Sequence, residues 1–300
     1  MHSRNDGPQT GKGLLSAWSA FVIWGLLPLY WKLLTRVPAF EILAQRILWT
    51  AIITLSVLAL DGRLGDVVRV FREPKRLGAT AAASLFISAN GLTFIWAVTH
   101  DRVTEVSLGY YINPLLNAFL GFVVLKERPS PLQSIAIGLA AIGVGFLTLR
   151  AGVFPWLSFV LALCFGMYGL VRKTAPVEPL VGLGVEMMLA SPLSILYLLF
   201  VPSTTLGAFA TEGFLIRGLL VLSGVASALP LFLFAYGARR IPYTTVGLLM
   251  FTAPTMQLGL AVLVYGEPFT SAQGITFAFI WIAVVLYLLG MFQSRPRKLQ

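Results

Sequence analysis

Apolar residues along the chain gather into ten runs of about twenty, parted by short segments that carry most of the charge. A helix rises about 1.5 Å per residue, so a run of this length crosses the roughly 30 Å hydrocarbon layer of a bilayer. The runs predict membrane-spanning helices over residues 14–34, 38–60, 77–98, 104–125, 131–149, 155–171, 180–200, 214–235, 242–265 and 270–292. In the longest polar connection, residues 61–76, Leu64, Val67, Val68 and Phe71 recur at helical spacing. That spacing predicts either a basic amphipathic helix lying on headgroups or a solvated loop.

Composition narrows the classes. Hydrophobic residues make up 57% of the chain and charged residues 11%, against about 25% charged in soluble proteins. With a mean hydropathy of +0.84, the fold class is an all-α integral membrane protein. The net charge of +10 is spread over short clusters with no basic helix or aromatic-basic motif, so membrane lipids rather than nucleic acid are the expected partner. A single cysteine, Cys164, excludes an intramolecular disulfide, and two histidines, His2 and His100, offer a metal little. No cofactor is expected.

Lysines and arginines are retained on the cytoplasmic side, and their distribution sets the orientation. With the N-terminus inside, the cytoplasmic segments hold sixteen: Arg4, Lys12, Arg63, Arg69, Arg72, Lys75, Arg76, Lys126, Arg128, Arg172, Lys173, Arg239, Arg240, Arg295, Arg297 and Lys298. The opposite segments hold three, Arg36, Arg102 and Arg150, while Lys32, Arg46 and Arg217 fall within spans. Both termini are therefore expected in the cytoplasm of a multi-pass inner (plasma) membrane protein. The first apolar run reads as a retained helix, because no small-residue cleavage site follows it.

A shift of 138 residues superposes Phe94, Ala97, Arg102 and Gly109 on Phe232, Ala235, Arg240 and Gly247. A shift of 140 superposes Pro114, Glu127 and Gln133 on Pro254, Glu267 and Gln273. This ordered series predicts a cytoplasmic tail (1–12), a five-helix unit (13–150), a second five-helix unit (151–292) and a basic tail (293–300). An odd number of spans per unit makes the repeats inverted. Many secondary transporters have this plan, with a site at the repeat interface near the midplane; a duplicated channel or scaffold would share the symmetry.

The fourth and ninth spans carry the most specific signal. Within GYYINPLLN, residues 109–117, Pro114 lies about 15 Å into its span and leaves the carbonyl of Tyr110 without its usual donor. Pro254 does the same to Met250. Paired helix breaks at these prolines point to a transporter's binding site. Tyr110, Asn113 and Asn117 share one helix face, and Gln257 is the amide counterpart of Asn117. With Tyr111, Asn90 and Trp24 they form the candidate substrate-binding set. Each amide either meets a polar solute or bonds to a neighbouring helix, and Trp24 either lines a cavity or packs.

Ionisable residues inside spans cost about 2.5–3.5 kcal/mol each on insertion scales. Arg46 and Glu186 stand at equivalent places under the 140-residue shift, on opposite sides of the midplane, so no direct pair between them is expected. Each could attract one end of a zwitterion, and Glu186 could carry a proton; local pairing or a watery vestibule is the alternative. Glu41 is a second coupling candidate, although a carboxylate at a helix start also suits the dipole, and Lys32 can snorkel. Glu127 and Glu267, just past their spans, are read as loop residues. Small residues, Ala89, Thr93 and Ala97 in the third span and Gly138, Ala140, Ala141, Gly143 and Gly145 in the fifth, allow close helix approach or a dimer face. No oligomeric state is specified.

Besides GYYINPLLN, the stretches AFVIWG (20–25), EILAQRILW (41–49), FIWAV (94–98), GLVRK (169–173) and FAFIW (277–281) resemble RarD-type proteins of the drug/metabolite transporter superfamily. The repeat of that superfamily is called EamA, and the resemblance covers nearly the whole chain. It implies ten helices in two inverted repeats, a central cavity, and export of small metabolites or drugs. RarD is named for a chloramphenicol-sensitive phenotype, and the related exporter YddG handles aromatic and other amino acids. The resemblance brings no binding motif, so the site residues rest on the helices themselves.

The expected function is export or facilitated movement of small amphipathic solutes, foremost amino acids or related drugs, by alternating access of a central cavity. Without an ATP-binding motif the process is passive or ion-driven and requires no ATPase partner. An integral membrane enzyme acting on lipid or isoprenoid substrates is the alternative. It would need acid/base or metal groups that the chain lacks in HExxH, Asp-rich, GxxxxGK[ST] or GxSxG form. A scaffold would need no polar residues at mid-bilayer.

Overall fold

The computed structural model describes residues 8–125, 130–152, 154–175, 177–201, 206–238, 240–241 and 249–293. Among these, every regular element is helical: α1 (Pro8–Lys32), α2 (Ala39–Leu60), α3 (Leu64–Arg72), α4 (Pro74–Thr99), α5 (Val103–Leu125) and α6 (Pro131–Ala151). There follow α7 (Trp156–Thr174), α8 (Pro179–Phe200), the single turn α9 (Ala208–Thr211), α10 (Phe214–Ala238), α11 (Thr252–Gly259) and α12 (Ser271–Gln293). A π-helical turn over Leu260–Val264 follows directly on α11.

Local chemistry sets several boundaries. Proline opens α4, α6 and α8, where its missing N–H costs no helical bond. At α6, Ser130 and Gln133 exchange side-chain and backbone bonds in a capping box, and Gly152 ends the helix in left-handed conformation. Glu178 accepts the N–H groups of Leu180 and Val181 at the start of α8.

Among the described residues seven helices, α1, α2, α4, α6, α8, α10 and α12, are long and apolar enough to cross a membrane. α7 and the α11 segment are shorter apolar helices, and α5 is 23 residues long. The chain is thus a multi-pass membrane protein. Residues 61–76 contain a true helix, α3. In the ninth predicted span, residues 242–248 lie outside the described residues; the chain is a turn at Met250 and Phe251 before α11 begins.

The two prolines behave differently. α5 runs unbroken through Pro114, contrary to the predicted break. Eleven residues precede the proline and eleven follow it in the helix, so intrahelical bonds on both sides and tertiary packing hold the segment while one backbone bond is forgone. Pro254, by contrast, is the third residue of α11, directly after the turn. There an interior hydrogen bond is not yet due.

α1 packs along α10 as α7 packs along α4; α2 lies against α8 and α6 against α12; α5 meets α7 as α11 meets α1. The largest apolar core draws together one end of the bundle: Trp31 of α1, Ile42 of α2, Ile95 and Val98 of α4, Val103 and Val106 of α5, Leu157 and Leu161 of α7 and Leu220 of α10. At the opposite end the apolar groups divide into smaller clusters, one of α2, α3 and α8 and another around Ala17 and Ile241. Small residues of α6 serve packing: Ala136 and Ala140 share a core with Ala283 of α12, and Thr276 donates to the Gly143 carbonyl at 3.2 Å.

Candidate functional site

Arg46 sits in the second turn of α2, about 10 Å along the helix from its start. Its guanidinium lies against Gly91 of α4, where a Cβ would occupy the same space. No carboxylate lies within ion-pair distance of it among the described residues. The buried Nε has no hydrogen-bond partner, yet the residue as a whole is only half-buried. A cation held this way inside a bilayer-spanning bundle is suited to an anion arriving from outside the chain.

Tyr110 and Asn90 stand beside it. The Tyr110 hydroxyl donates to Asn90 Oδ1 at 3.3 Å, and Asn90 Nδ2 donates to the Leu161 carbonyl at 3.1 Å. The Tyr110 ring meets Phe94 and Phe165 edge-on, each with centroids 6.0 Å apart. Three spans of the first half, α2, α4 and α5, thus bring a guanidinium, an amide and a phenol to one aromatic-walled place. α7, from the second half, closes it through Leu161 and Phe165.

Asn113 and Asn117 follow on the same face of α5. Asn117 Nδ2 donates to Asn113 Oδ1 at 2.9 Å, while Asn113 Nδ2 is buried without a partner. Gln257 does not join Asn117: its Nε2 donates to the Trp24 carbonyl at 3.2 Å, and its Oε1 is buried without a partner. Asn113 and Gln257 are each 1% exposed, so α5 carries a free donor and α11 a free acceptor in the interior. Buried polar atoms without a partner also occur elsewhere among the described residues, at Trp31, Thr50, Ser88, Thr104 and Tyr265 for example, so these two mark candidates and not a site by themselves.

Trp24 is half-buried and touches Phe21 and Phe234 through its ring. Tyr111 faces away from Tyr110: it bonds the Thr255 hydroxyl at 2.5 Å and packs on Phe251, Phe277 and Trp281. It ties α5 to α11 and α12.

The two acidic candidates have protein partners. Glu186, fully buried on α8, meets Arg172 Nη1 at 3.2 Å and accepts from the Tyr168 hydroxyl at 3.3 Å. Glu41 accepts the Ala208 N–H and caps α9. Sequence reasoning placed Arg172 among loop charges and missed it as the counter-ion of Glu186; its position in the last turn of α7, fourteen residues before Glu186, was the available signal. Glu267 proves more than a loop residue, accepting the N–H groups of Val103 and Thr104 at 2.6 and 2.8 Å. Gly91 was not singled out at all. Glu127 lies outside the described residues.

A cavity of about 170 Å³ opens at the start of α5, lined by Arg102, Thr104, Glu105, Gln273 and Phe277 among others, and not by Arg46, Asn90, Asn113, Asn117 or Gln257. No cluster of His, Cys, Asp and Glu capable of holding a metal occurs among the described residues.

Comparison with known proteins agrees with this architecture. The model of the EamA-like transporter family matches residues 11–149 and again residues 155–289. The chain belongs to the EamA-like transporter family. An uncharacterized transporter of Pseudomonas aeruginosa is 42% identical over 95% of this chain and 96% of its own length. The protein RarD of Salmonella typhi is 35% identical, covering 98% of this chain and all of its own. A Pseudomonas aeruginosa relative named chloramphenicol-sensitive protein RarD is 31% identical over 92% and 93%. The chain is thus a RarD-like member of the drug/metabolite transporter superfamily. One crystal structure shares the EamA-like chain's fold with a TM-score of 0.59 at 20% identity, covering 92% of this chain and 97% of that one.

Proposed function

We propose that this EamA-like protein moves small carboxylate-bearing amphipathic solutes, foremost aromatic and neutral amino acids or related drugs, across the inner membrane. The observation that carries the reading is Arg46: a half-buried guanidinium within the bundle with no carboxylate partner among the described residues. A solute carboxylate supplies the missing anion, and a guanidinium binds it in bidentate fashion. The free Asn113 donor and Gln257 acceptor can serve the remaining polar groups of such a solute. Phe94, Tyr110 and Phe165 offer its apolar part a wall.

Alternating access between two inverted five-helix halves is the proposed mechanism, with the chain divided at residues 13–150 and 151–292. The reciprocal helix contacts support a pseudo-twofold arrangement: α1 with α10 and α7 with α4, α5 with α7 and α11 with α1. Both termini are assigned to the cytoplasm from the distribution of basic residues. On that assignment the large apolar core around Trp31, Ile42 and Ile95 seals the periplasmic end. The divided clusters at the other end support entry from the cytoplasm, the direction of export. The protein is read as a transporter and not an enzyme; its named relatives include transporters.

Glu41 and Glu186 both have structural partners, so coupling to protons is not required by the geometry. Flux of radiolabelled amino acids into proteoliposomes holding the purified protein tests the reading. Saturable uptake of aromatic and neutral amino acids is expected. An absence of flux across a broad panel of carboxylate solutes would overturn it.

A further inference from the structure

α3 presents three different faces, and the proposed transport path uses none of them. Val67 and Val70 are 5% and 2% exposed, packed with Leu58 of α2 and with Val181 and Val185 of α8. At about 100° per residue, Leu64, Val68 and Phe71 fall on a neighbouring strip. These three are 46%, 48% and 39% exposed. Next around the helix come Arg69 and Arg72, and Lys75 follows in the first turn of α4.

Charge bookkeeping leaves this last face cationic. Asp66 takes Arg63 and Arg69 at 3.3 and 3.2 Å, Glu178 takes Arg63 at 3.3 Å, and Glu73 takes Arg76 at 2.7 Å. Arg72 and Lys75 have no ion-pair partner among the described residues, and Asp66 is shared between two arginines. The helix links the ends of two apolar spans, α2 and α4, where the chain leaves the hydrocarbon.

An exposed apolar strip edged by uncompensated arginine and lysine, held at that depth, matches the acyl boundary and the phosphate layer of a bilayer. We infer that α3 is a docking site for anionic phospholipid, with Leu64, Val68 and Phe71 against the acyl chains and Arg69, Arg72 and Lys75 on the headgroup phosphate. The site bears on both halves of the chain. α3 continues into α2 and α4, while its valines and the Arg63–Glu178 pair hold it to α8.

The test uses the full chain carrying Cys164→Ser and Val68→Cys, labelled with bimane and reconstituted into phosphatidylcholine vesicles. Equal mole fractions of brominated phosphatidylglycerol or brominated phosphatidylcholine are then compared as quenchers. Phosphatidylglycerol is expected to quench severalfold more strongly, and raised salt to shrink the difference. Arg69→Gln, Arg72→Gln and Lys75→Gln are each expected to lower the preference, by up to roughly fivefold per charge, while quenching by the acyl bromines persists. Equal quenching by the two lipids with the native charges present, or no quenching by either, would overturn the inference. The salt titration of the charge-intact protein decides the matter even where a charge variant does not fold.

Discussion

Arg172 Nη1 lies 3.2 Å from Glu186 Oε1, tying the last turn of α7 to α8 inside the bundle. Under the 140-residue shift Glu186 stands opposite Arg46 in the sequence, and the two charges have different circumstances: the fully buried acid has a counter-ion, and the half-buried base has none among the described residues. The geometry gives Glu186 a structural partner and leaves Arg46 without one among the described residues. Removing one partner of a buried pair costs about 3–5 kcal/mol, because the other charge is left stranded. Arg172→Met is expected to lower the melting temperature in detergent sharply, and Arg172→Met with Glu186→Met to restore most of it. A double variant no better than the single one would deny that the pair acts as a unit.

Gly91→Ala separates binding from folding. The nearest atoms its new Cβ would meet are those of the Arg46 guanidinium, the far end of a long side chain. Alanine also favours a helix over glycine by about 0.5–1 kcal/mol. Thermal stability is therefore expected to hold or rise, while transport falls severalfold through a higher KM. A variant that melts normally and transports normally would place the Arg46–Gly91 contact outside the solute's path.

Glu267 joins the segment after α11 to the first turn of α5 through two N–H groups, Val103 and Thr104. Hydrogen bonds to a charged group contribute about 1.5–3 kcal/mol. Glu267→Ala is expected to destabilise the protein by about that range, and Glu267→Gln by less, since its single amide oxygen still accepts one of the two N–H groups while its NH2 faces the other. Melting curves of the two variants against the native chain check the ordering; equal losses would show that one remaining acceptor does not hold the contact.

Gln257→Met keeps the side chain's approximate volume and removes both its bond to the Trp24 carbonyl and its free acceptor. Flux is expected to fall more than folded yield, and Asn117→Ala with Gln257→Ala to deepen the loss. Parallel losses of yield and flux, followed by size-exclusion chromatography and uptake, would make both amides structural bonds between helices.

Much of this was legible in the residues because lipid imposes a coarse rule: spans need length and apolarity, and polar groups inside them need a reason. That rule singles out Arg46, Asn90, Tyr110, Asn113 and Gln257 as candidates. It also placed Glu186 but not its partner, since Arg172 lies near a helix end and reads as a loop charge until α7 and α8 are seen side by side. Pro114 was misjudged as a break because a helix can forgo one bond when its neighbours hold it. Tyr111 adjoins Tyr110 in sequence, but successive helical residues point about 100° apart, and packing against α11 and α12 claimed it. The ambiguous 61–76 segment became α3 because α8 offers Val181 and Val185 to its valine face, a contact no local pattern reveals.

The role of Arg46 is most directly tested by proteoliposome uptake of phenylalanine and of phenylalaninamide through the native chain, Arg46→Lys and Arg46→Gln, each normalised to folded protein. The native chain is expected to favour the carboxylate over the amide at least tenfold, Arg46→Lys to retain part of that preference, and Arg46→Gln to abolish it with folded yield preserved. Undiminished phenylalanine uptake by a well-folded Arg46→Gln protein would contradict a carboxylate bound at Arg46.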